Sequence, residues 1–513
     1  MKIFSAAQIH ECDTQTINAT GIKSGELMER AANKCVDWLR NNFSRDALFV
    51  ILCGTGNNGG DGLAIARLLH QRSYGVKAFL LNFGKEMSAD CAANLQKLRQ
   101  INEQLVTVVE PDAYITDLPQ HVVIIDAILG TGLSRPADGW IGGFIQRVNR
   151  MNNRKIAIDI PSGLPADIIT DKDAPVLQVN DTLSFQFYKR SFFHPESAPA
   201  AGNVHVLDIG LDQTFIQSTH THYRTLERED ILAIYKPRTA FGHKGTYGSA
   251  LMVGGSYGKT GAVVLSTRAA LRSGAGLVTA MLPVCGYSVV QTAVPEAMCI
   301  TTGDTSICSI SDWEKYRAIG IGPGMGATDN CVQALAGFLD VYKDPVVLDA
   351  DALNIIGKHS ELLARLPKNA ILTPHPKEFA RMFGENTNSM IQVDNARIQA
   401  MRYNINIVLK GHNTVIITAE GDCWYNMTGN PGMATGGSGD VLTGIITGLL
   451  AQGYAPQDAA MLGVYLHGVA GDLAAKELSQ EAMIAGDIVD YLGSAYLSLK
   501  DKKGFSASVT PGK

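Results

Sequence analysis

The chain has no surplus of positive charge, no paired-cysteine motif, no long apolar run and no internal repeat, and each absence argues against a class of protein. Forty-four basic residues stand against forty-nine acidic ones, a formal charge of −5, so nothing is left over to neutralise a phosphate backbone and a nucleic-acid partner is disfavoured. The nine cysteines form no C-x-x-C pair and their number is odd, which argues against a disulfide framework or a zinc site and for a reducing compartment. No stretch approaches the ~18 consecutive apolar residues of a membrane span. His10 and Glu11 interrupt the N-terminus before a secretory apolar region can form, so no membrane partner and a cytoplasmic location are expected. Without a repeat of ~20–50 residues a solenoid is not indicated.

What is present is a long, globular, glycine-rich sequence. Its 513 residues exceed one ordinary core, and 46% hydrophobic with 18% charged residues exclude disorder as the main state. Fifty-two glycines are about a tenth of the chain, above the usual ~7%, and point to tight turns and close approaches of backbone to ligand. Residues 1–210 alternate amphipathic stretches, such as a helix capped by Ser24, with short apolar runs at 47–53, 76–82, 122–128, 156–160 and 204–209. That alternation predicts a parallel sheet covered on both faces. Residues 211–230 are polar and read as a solvated linker, a reading that outweighs a metal site at His220 and His222. A second series follows at 249–254, 318–322, 345–349, 370–373 and 405–410, then a glycine-rich stretch and helices at 441–450 and 459–478. The expected architecture is two α/β domains in tandem, 1–218 and 222–500, with a disordered polar tail over 501–513.

In the first domain Gly54-Thr55-Gly56-Asn57-Asn58-Gly59 fits G-x-G-x-x-G, a turn that offers backbone N–H groups to an anion at a helix N-terminus. The dinucleotide fold also needs an acid about twenty residues on, and the strand there ends Leu80-Leu81-Asn82-Phe83 with none. A conventional dehydrogenase therefore loses ground. The loop instead runs on through Gly59-Gly60-Asp61-Gly62, and two further strands end in acids, at Asp126 before Gly130-Thr131-Gly132 and at Asp159 before Pro161-Ser162-Gly163. In an open α/β sheet such loops converge beyond the carboxyl ends of the strands. Oxygens of Asn58, Asp126 and Ser162 suit a hard cation, and Asp159 suits a general acid or base. The bland alternative is that Asp126 and Asp159 only cap turns; the pair together with the glycine loop favours a site.

GTGNNGGDG, DAILGTGLSRP and AIDIPSGL resemble the NAD(P)H-hydrate epimerase domain, over essentially residues 1–215. The resemblance implies that Asn57, Asn58, Gly59, Gly60 and Asp61, with Gly130, Thr131, Gly132, Leu133, Ser134, Arg135 and Pro136, bind the hydrated nicotinamide nucleotide. It also implies that Asn58, Asp126 and Ser162 hold K⁺ and that Asp159 contacts the substrate. The same domain occurs as a non-enzymatic module in RNA-decay scaffolds, a degenerate role that the presence of both acids argues against.

In the second domain Gly254-Gly255-Ser256-Tyr257-Gly258-Lys259-Thr260 falls short of a phosphate-binding P-loop, because Val253 stands where the first glycine is required. It remains a glycine-rich ligand loop. Asn430-Pro431-Gly432-Met433-Ala434-Thr435-Gly436-Gly437-Ser438-Gly439-Asp440 is the stronger signal, since it runs into a helix start at Val441. Such a loop directs several N–H donors at phosphate charge, and Asp440 suits deprotonation of a hydroxyl nucleophile. The alternative is an N-cap aspartate after a glycine turn. His375 between two prolines and the Lys410-Gly411-His412-Asn413-Thr414 segment also end strands.

These residues resemble the ribokinase-like fold. More closely, KPRTAFGHKGTYG, GIGPGMG, LDADALN, LTPHPKEF, KGHNT and NPGMATGGSGD resemble the nucleotide-dependent (S)-NAD(P)H-hydrate dehydratase, over about 225–495. The resemblance implies that Ala262, Gly324, His375 and Asp440 contact the hydrate. It implies that Lys410, Gly411, His412, Asn413 and Thr414 contact adenine nucleotide, with Gly439, and the anion loop adds Asn430, Gly436, Gly437 and Ser438. Lys377 departs from the pattern, where a glycine is expected. Taken together, the resemblances imply repair of hydrated NADH and NADPH by epimerisation and then dehydration, with ADP as phosphoryl donor, Mg²⁺ beside it, and a homo-oligomeric protein. The alternative is a ribokinase-like small-metabolite kinase with a regulatory Rossmann-like domain.

Overall fold

The structure is a computed structural model that describes residues 1–500, except 85, 112, 114, 116, 117, 134 and 135. Ser134, Arg135 and the 501–513 tail, all singled out above, lie outside the described residues. The chain divides into two compact units, with the change falling between Thr221 and His222. Among the described residues no helix is long and apolar enough to cross a membrane. All nine cysteines are free thiols.

The first unit is built on seven strands: β1 (Leu48–Cys53), β2 (Gly75–Leu81), β3 (Val106–Val109), β4 (Val122–Ala127), β5 (Lys155–Ile158), β6 (Asp181–Phe185) and β7 (Asn203–Leu207). Every pairing is parallel and the order is β3-β2-β1-β4-β5-β6-β7. β1 shows why its sequence reads as an unbroken apolar run. Phe49, Ile51 and Cys53 enter one core with Leu63 and Ala66, while Val50 and Leu52 enter another with Phe144 and Ile145, so both faces are covered. The chain order reverses between β1 and β4, the switch point at which an open α/β sheet leaves a crevice. β3 and β6 escaped the sequence reading, because Thr107 and Asp181-Thr182 break their apolar runs.

The second unit carries ten strands: β8 (Tyr223–Leu226), β9 (Ser249–Val253), β10 (Leu277–Leu282), β11 (Met298–Thr301), β12 (Ala318–Ile321), β13 (Val346–Leu348), β14 (Ile371–Leu372), β15 (Asn406–Leu409), β16 (Val415–Ile417) and β17 (Cys423–Asn426). The order is β11-β10-β9-β12-β13-β14-β15-β16-β17-β8, parallel except where β16 runs antiparallel to β15 and β17. Here the switch point lies between β9 and β12. Both units are thus α/β, a Rossmann-like parallel sheet followed by a ribokinase-like domain.

Three local expectations need correction. Residues 211–230 are not a bare linker: they hold the helix Gln213–Ser218 and β8, which pairs with β17 as an edge strand. Polar residues fit there because one side of an edge strand meets solvent. Ser24 does not cap the second helix; Lys23 holds the N-cap position and Ser24, one residue inside, donates to Asp90. The helix expected from Val441 begins three residues earlier, spanning Ser438–Ala451. Gly437, at φ 92°, takes the left-handed conformation that turns the chain into it.

Candidate functional sites

In the first unit the helix Asn57–Gln71 starts one residue after Gly56, so Asn57, Asn58 and Gly59 form its first turn. Gly60, Asp61 and Gly62 are therefore helical, not part of a loop as the sequence suggested. Some of the glycines serve packing. A Cβ on Gly59 would lie 1.8 Å from the Gly54 carbonyl oxygen, so helix and strand end touch only because Gly59 has no side chain. Gly56 and Gly132 face open space, and a Cβ on Gly130 would lie 3.2 Å from that of Asn58. The β1 and β4 motifs therefore meet at the switch point, and the Thr131–Gly132 turn follows directly.

Asn58, Asp126 and Ser162 form one cluster. Ser162 donates to Asp126 through its backbone N–H (2.7 Å) and its hydroxyl (2.6 Å), and Ile128 N–H donates at 3.2 Å. Asn58 Nδ2 donates to the Leu129 carbonyl (3.0 Å), while Leu129 N–H donates to Ser162 Oγ (2.8 Å). Asp126 is fully buried, and burial lifts its carboxyl to about 6 against those bonds. Its hydrogen-bond donors are all neutral. A carboxylate, an amide oxygen, a hydroxyl and the Leu129 carbonyl in one buried pocket, without a cationic side chain among Asp126's bonding partners, make a donor set that fits a hard monovalent cation.

Asp159 follows β5 in the left-handed region at φ 66°, a conformation that costs a non-glycine residue ~1–3 kcal/mol and persists only when its surroundings enforce it. The enforcement comes from a residue the sequence reading missed. Lys189 Nζ, fully buried, donates to Asp159 Oδ1, to Ser184 Oγ (2.8 Å) and to the Phe185 and Phe187 carbonyls (both 3.4 Å). Phe185 N–H also donates to Asp159 Oδ1 (3.1 Å). Asp61, 8% exposed, is pushed well up from the ordinary carboxylate range, first by burial and then by Asp159, Asp13 and Asp90. No local signal marked Lys189, thirty residues beyond Asp159.

In the second unit the sites again line up at strand ends. Val253, where a P-loop would need glycine, is a buried strand residue, and Lys259 reaches toward Asp351 (3.5 Å). Gly324, at φ 64°, lies so close to the next helix that a Cβ would come within 3.0 Å of Ala262 Cβ and 2.5 Å of the Lys259 carbonyl, so these two substrate candidates are neighbours. His375 is the N-cap of the helix Pro376–Phe383; its Nδ1 accepts from Lys377 N–H (3.1 Å) and Glu378 N–H (3.2 Å). Lys377 is an ordinary helical residue there, which explains why no glycine is needed. Pro376, at the first helical position, accounts for the rigid setting of His375.

Lys410, at the end of β15, does not extend into solvent. Its ammonium lies 2.9 Å from Asp349 Oδ1 and 3.9 Å from Glu378 Oε2, and Thr443 donates to Asp349 Oδ2 at 2.6 Å. A Cβ on Gly439 would lie 3.2 Å from Lys410 Nζ. The Asp349–Lys410–Glu378 group therefore joins the His375 turn, the 410–414 turn and the Ser438–Ala451 helix. Asp349, Glu378 and Thr443 went unnoticed in the sequence reading because each belongs to a different element. Asn430 anchors the far end of the anion loop, donating to Asp472 (3.0 Å) and accepting from Gly432 N–H (3.0 Å). Gly436 faces open space. Ser438 is tied down by His467, whose Nε2–H donates to the Ser438 carbonyl (3.0 Å) and whose ring, stripped of solvent, is lowered to about 4.

Asp440 is the third residue of its helix, Gly437 holds the N-cap position, and no side-chain cap bond is present. The reading of Asp440 as an N-cap is thereby removed. Burial first, then Asp349, lifts its carboxyl to about 7, opposed by Lys410. A carboxylate near the top of its range, beside a glycine-lined helix N-terminus, is placed to take a proton from a hydroxyl while the helix end faces an anion.

Fold and sites define a two-unit α/β enzyme whose motif loops gather at the sheet reversal of each unit. The family described as NAD(P)H-hydrate dehydratase matches residues 250–493, and that described as YjeF-related protein N-terminus matches residues 24–191. A bifunctional NAD(P)H-hydrate repair enzyme of Moorella thermoacetica is 36% identical over 98% of both chains, and one of Coxiella burnetii is 32% identical over 96% of this chain and 98% of its own. The chain belongs to the bifunctional NAD(P)H-hydrate repair enzymes. It also resembles the crystal structure of a Bacillus subtilis ADP/ATP-dependent NAD(P)H-hydrate dehydratase co-crystallised with ATP and Mg²⁺. That protein is 35% identical, with 54% of this chain and 98% of that chain covered and a TM-score of 0.48.

Proposed function

We propose that the first domain interconverts the R and S hydrates of NADH and NADPH and that the second dehydrates the S hydrate at the expense of a nucleotide, releasing AMP and phosphate when ADP is the donor. Membership of the repair family and the two matched domains support the activity. The observation that carries the residue assignment is the uncapped Asp440 at the glycine-lined start of the Ser438–Ala451 helix. Hydroxide is a poor leaving group, and phosphoryl transfer turns it into a good one. Asp440 takes the proton of the C6 hydroxyl as its oxygen bonds to the terminal phosphorus and the nucleotide bridging oxygen leaves. The N–H groups at 436–439 receive the charge on the transferring group. Ring nitrogen then expels phosphate from C6, and loss of a C5 proton restores the double bond. Mg²⁺, carried on the nucleotide phosphates, would neutralise part of their charge beside the acids around Asp440.

In the first domain Asp159 exchanges protons at the C6 carbinol of a hydrate bound through Asn57–Asp61 and the 130–136 segment. K⁺ would be held by Asn58, Asp126 and Ser162, where it would offset the buried Asp126 charge and fix the loops that carry the site. Activity supported by K⁺ but not by Li⁺ is the expected result, and a rate indifferent to the cation removes the assignment. ADP is favoured over ATP as donor. The free thiols support a cytoplasmic setting, and light scattering tests the proposed homo-oligomer. Incubating mixed hydrates with ADP or ATP and following reduced-coenzyme absorbance tests the whole account. Full recovery of absorbance from both epimers is expected, whereas a stable phosphorylated product would instead indicate a small-metabolite kinase.

A further inference from the structure

The anion loop of the second domain, residues 429–439, contains five glycines, and a segment so rich in glycine does not by itself fix the direction of its N–H groups. In the fold those groups divide into two sets. The N–H groups of Gly432, Met433, Ala434 and Ser438 bond within the loop, to Asn430 Oδ1 (3.0 Å) and to the carbonyls of Asn430 (3.1 Å), Pro431 (3.0 Å) and Thr435 (3.4 Å). Those of Thr435, Gly436, Gly437, Gly439 and Asp440 meet no acceptor among the described residues.

One helix, Pro456–Leu478, grips the loop at both ends. At the entry, Asp472 accepts from Gly429 N–H through Oδ2 (2.9 Å) and from Asn430 Nδ2 through Oδ1 (3.0 Å), so both its oxygens are committed to the loop. At the exit, five residues earlier on the same helix, His467 Nε2 lies 3.0 Å from the Ser438 carbonyl and 3.3 Å from the Ser438 hydroxyl. A carbonyl only accepts, so Nε2 carries the proton. Loss of solvent lowers the ring to about 4, so the imidazole is neutral and this N–H is its single donor. The helix has glycines where the loop comes closest. A Cβ on Gly468 would fall 2.1 Å from Thr428 Oγ1, and one on Gly471 would fall 2.3 Å from Met433 Sδ. Thr428 also donates to the Tyr465 carbonyl (3.3 Å).

We propose that Asp472 and His467 are positioning residues of the dehydratase, which aim the unbonded N–H groups of the anion loop at the transferring phosphoryl group. The assignment rests on the reading of the second domain as a phosphoryl-transferring dehydratase. A trans peptide unit is planar, with its C=O and N–H pointing in opposite directions. The Ser438 carbonyl and the Gly439 N–H belong to one such unit, so His467, by holding the first, fixes the direction of the second. Asp472 sets the other end through Gly429 and Asn430, whose Oδ1 closes the Pro431–Met433 turn onto Gly432 N–H. The oxygens of Asp472 and the N–H of His467 are taken up by the loop, so both residues act through it and not on the phosphoryl group itself. Donors already in place stabilise the developing charge without reorganisation. Glycine and clamp have separate tasks: Gly436 leaves open space beside the N–H row, and the helix supplies the rigidity that glycine lacks.

The test uses the full chain, purified S-NADPH hydrate, ADP and Mg²⁺. Recovery of reduced-coenzyme absorbance gives the rate, and calorimetric titration with ADP counts the folded sites. His467→Leu keeps apolar bulk and removes the N–H. It should lower kcat per binding site by about 10²-fold, the cost of a small misplacement at the reacting groups. ADP should still bind with full stoichiometry and within a few-fold of wild-type affinity. His467→Gln, whose side-chain amide keeps an N–H donor, should restore most of the rate. Asp472→Asn, which turns an NH₂ group toward one of its two donors, should show the same kcat loss from the other end, and it carries the test if His467→Leu does not fold. Epimerisation of R hydrate should be unchanged in all three. A kcat within a few-fold of wild type in His467→Leu or Asp472→Asn overturns the proposal. So does a fall in ADP stoichiometry that accounts for the lost rate, which marks a structural residue, or a His467→Gln protein no faster than His467→Leu. If the wild type recovers no absorbance from S hydrate with ADP or ATP, the dehydratase reading itself is wrong and the assignment goes with it.

Discussion

Both domains place their motifs at the reversal point of an open sheet, β1/β4 in one and β9/β12 in the other, yet they manage charge in opposite ways. The first keeps Asp13, Asp61 and Asp159 within range of one another with the buried Lys189 bonded to Asp159, leaves Asp126 to neutral donors, and burial raises Asp13, Asp61 and Asp126. The second ties its deepest acid, Asp349, to Lys410 and Thr443 and leaves Asp440 beside a helix N-terminus. Excess carboxyl suits proton exchange on an uncharged ring, where acid and base forms must coexist. Balanced acid and cation with a row of N–H groups suits a phosphoryl group, whose charge would be repelled by the first arrangement. Similar scaffolds thus acquire different chemistries through what lies behind the motif loops.

The largest effect that would break this contrast is at Asp440. Asp440→Asn should lower dehydration of purified S hydrate by ~10²–10⁴-fold while nucleotide binding, measured calorimetrically, persists. Equal loss of nucleotide affinity would make Asp440 a structural residue. Asp159→Asn should have the mirror effect, abolishing epimerisation and leaving S-hydrate dehydration intact. With mixed epimers and ADP, recovery of absorbance should then halt near the S fraction.

Lys410→Met addresses the second domain's charge balance. It strands Asp349, 1% exposed, and Glu378, 6% exposed, without their cation, which should cost up to about 3–5 kcal/mol of that domain's stability in denaturant titration. An unchanged midpoint would mean the group is not a balanced unit. A smaller effect comes from pH. Asp440 must be ionised to act as base, so dehydration should weaken as pH falls through about 7, by roughly tenfold per pH unit below it; a flat profile would exclude Asp440 as the base. No effect at all is expected from separating the domains: fragments 1–218 and 222–513 should each keep its own activity. A fragment that folds but is inert until mixed with the other would show that a site is shared.

The chain read on its own yielded the tandem α/β order, the strands that carry motifs and most candidate loops, because those signals are local: an apolar run, a glycine turn and an acid within a few residues. It did not yield how the glycines are used. Gly59 and Gly439 look alike in sequence, but one lets helix meet strand end and the other borders the Lys410 ammonium. It also misassigned the cap at Ser24 and the start of the helix at Ser438, where φ at Gly437 and not side-chain chemistry sets the boundary.

What only the tertiary structure decided is which groups stand behind the motifs. Lys189 reaches Asp159 from beyond β6, Asp13 comes within range of both on the first helix, and Asp349 meets Lys410 across sixty-one residues. No periodicity or spacing encodes such meetings, because they are fixed by strand order and by helices packing on shared cores. Protonation follows the same division: the sequence supplies the carboxyls, but burial and neighbouring charge, which exist only in the folded chain, set which of them holds a proton.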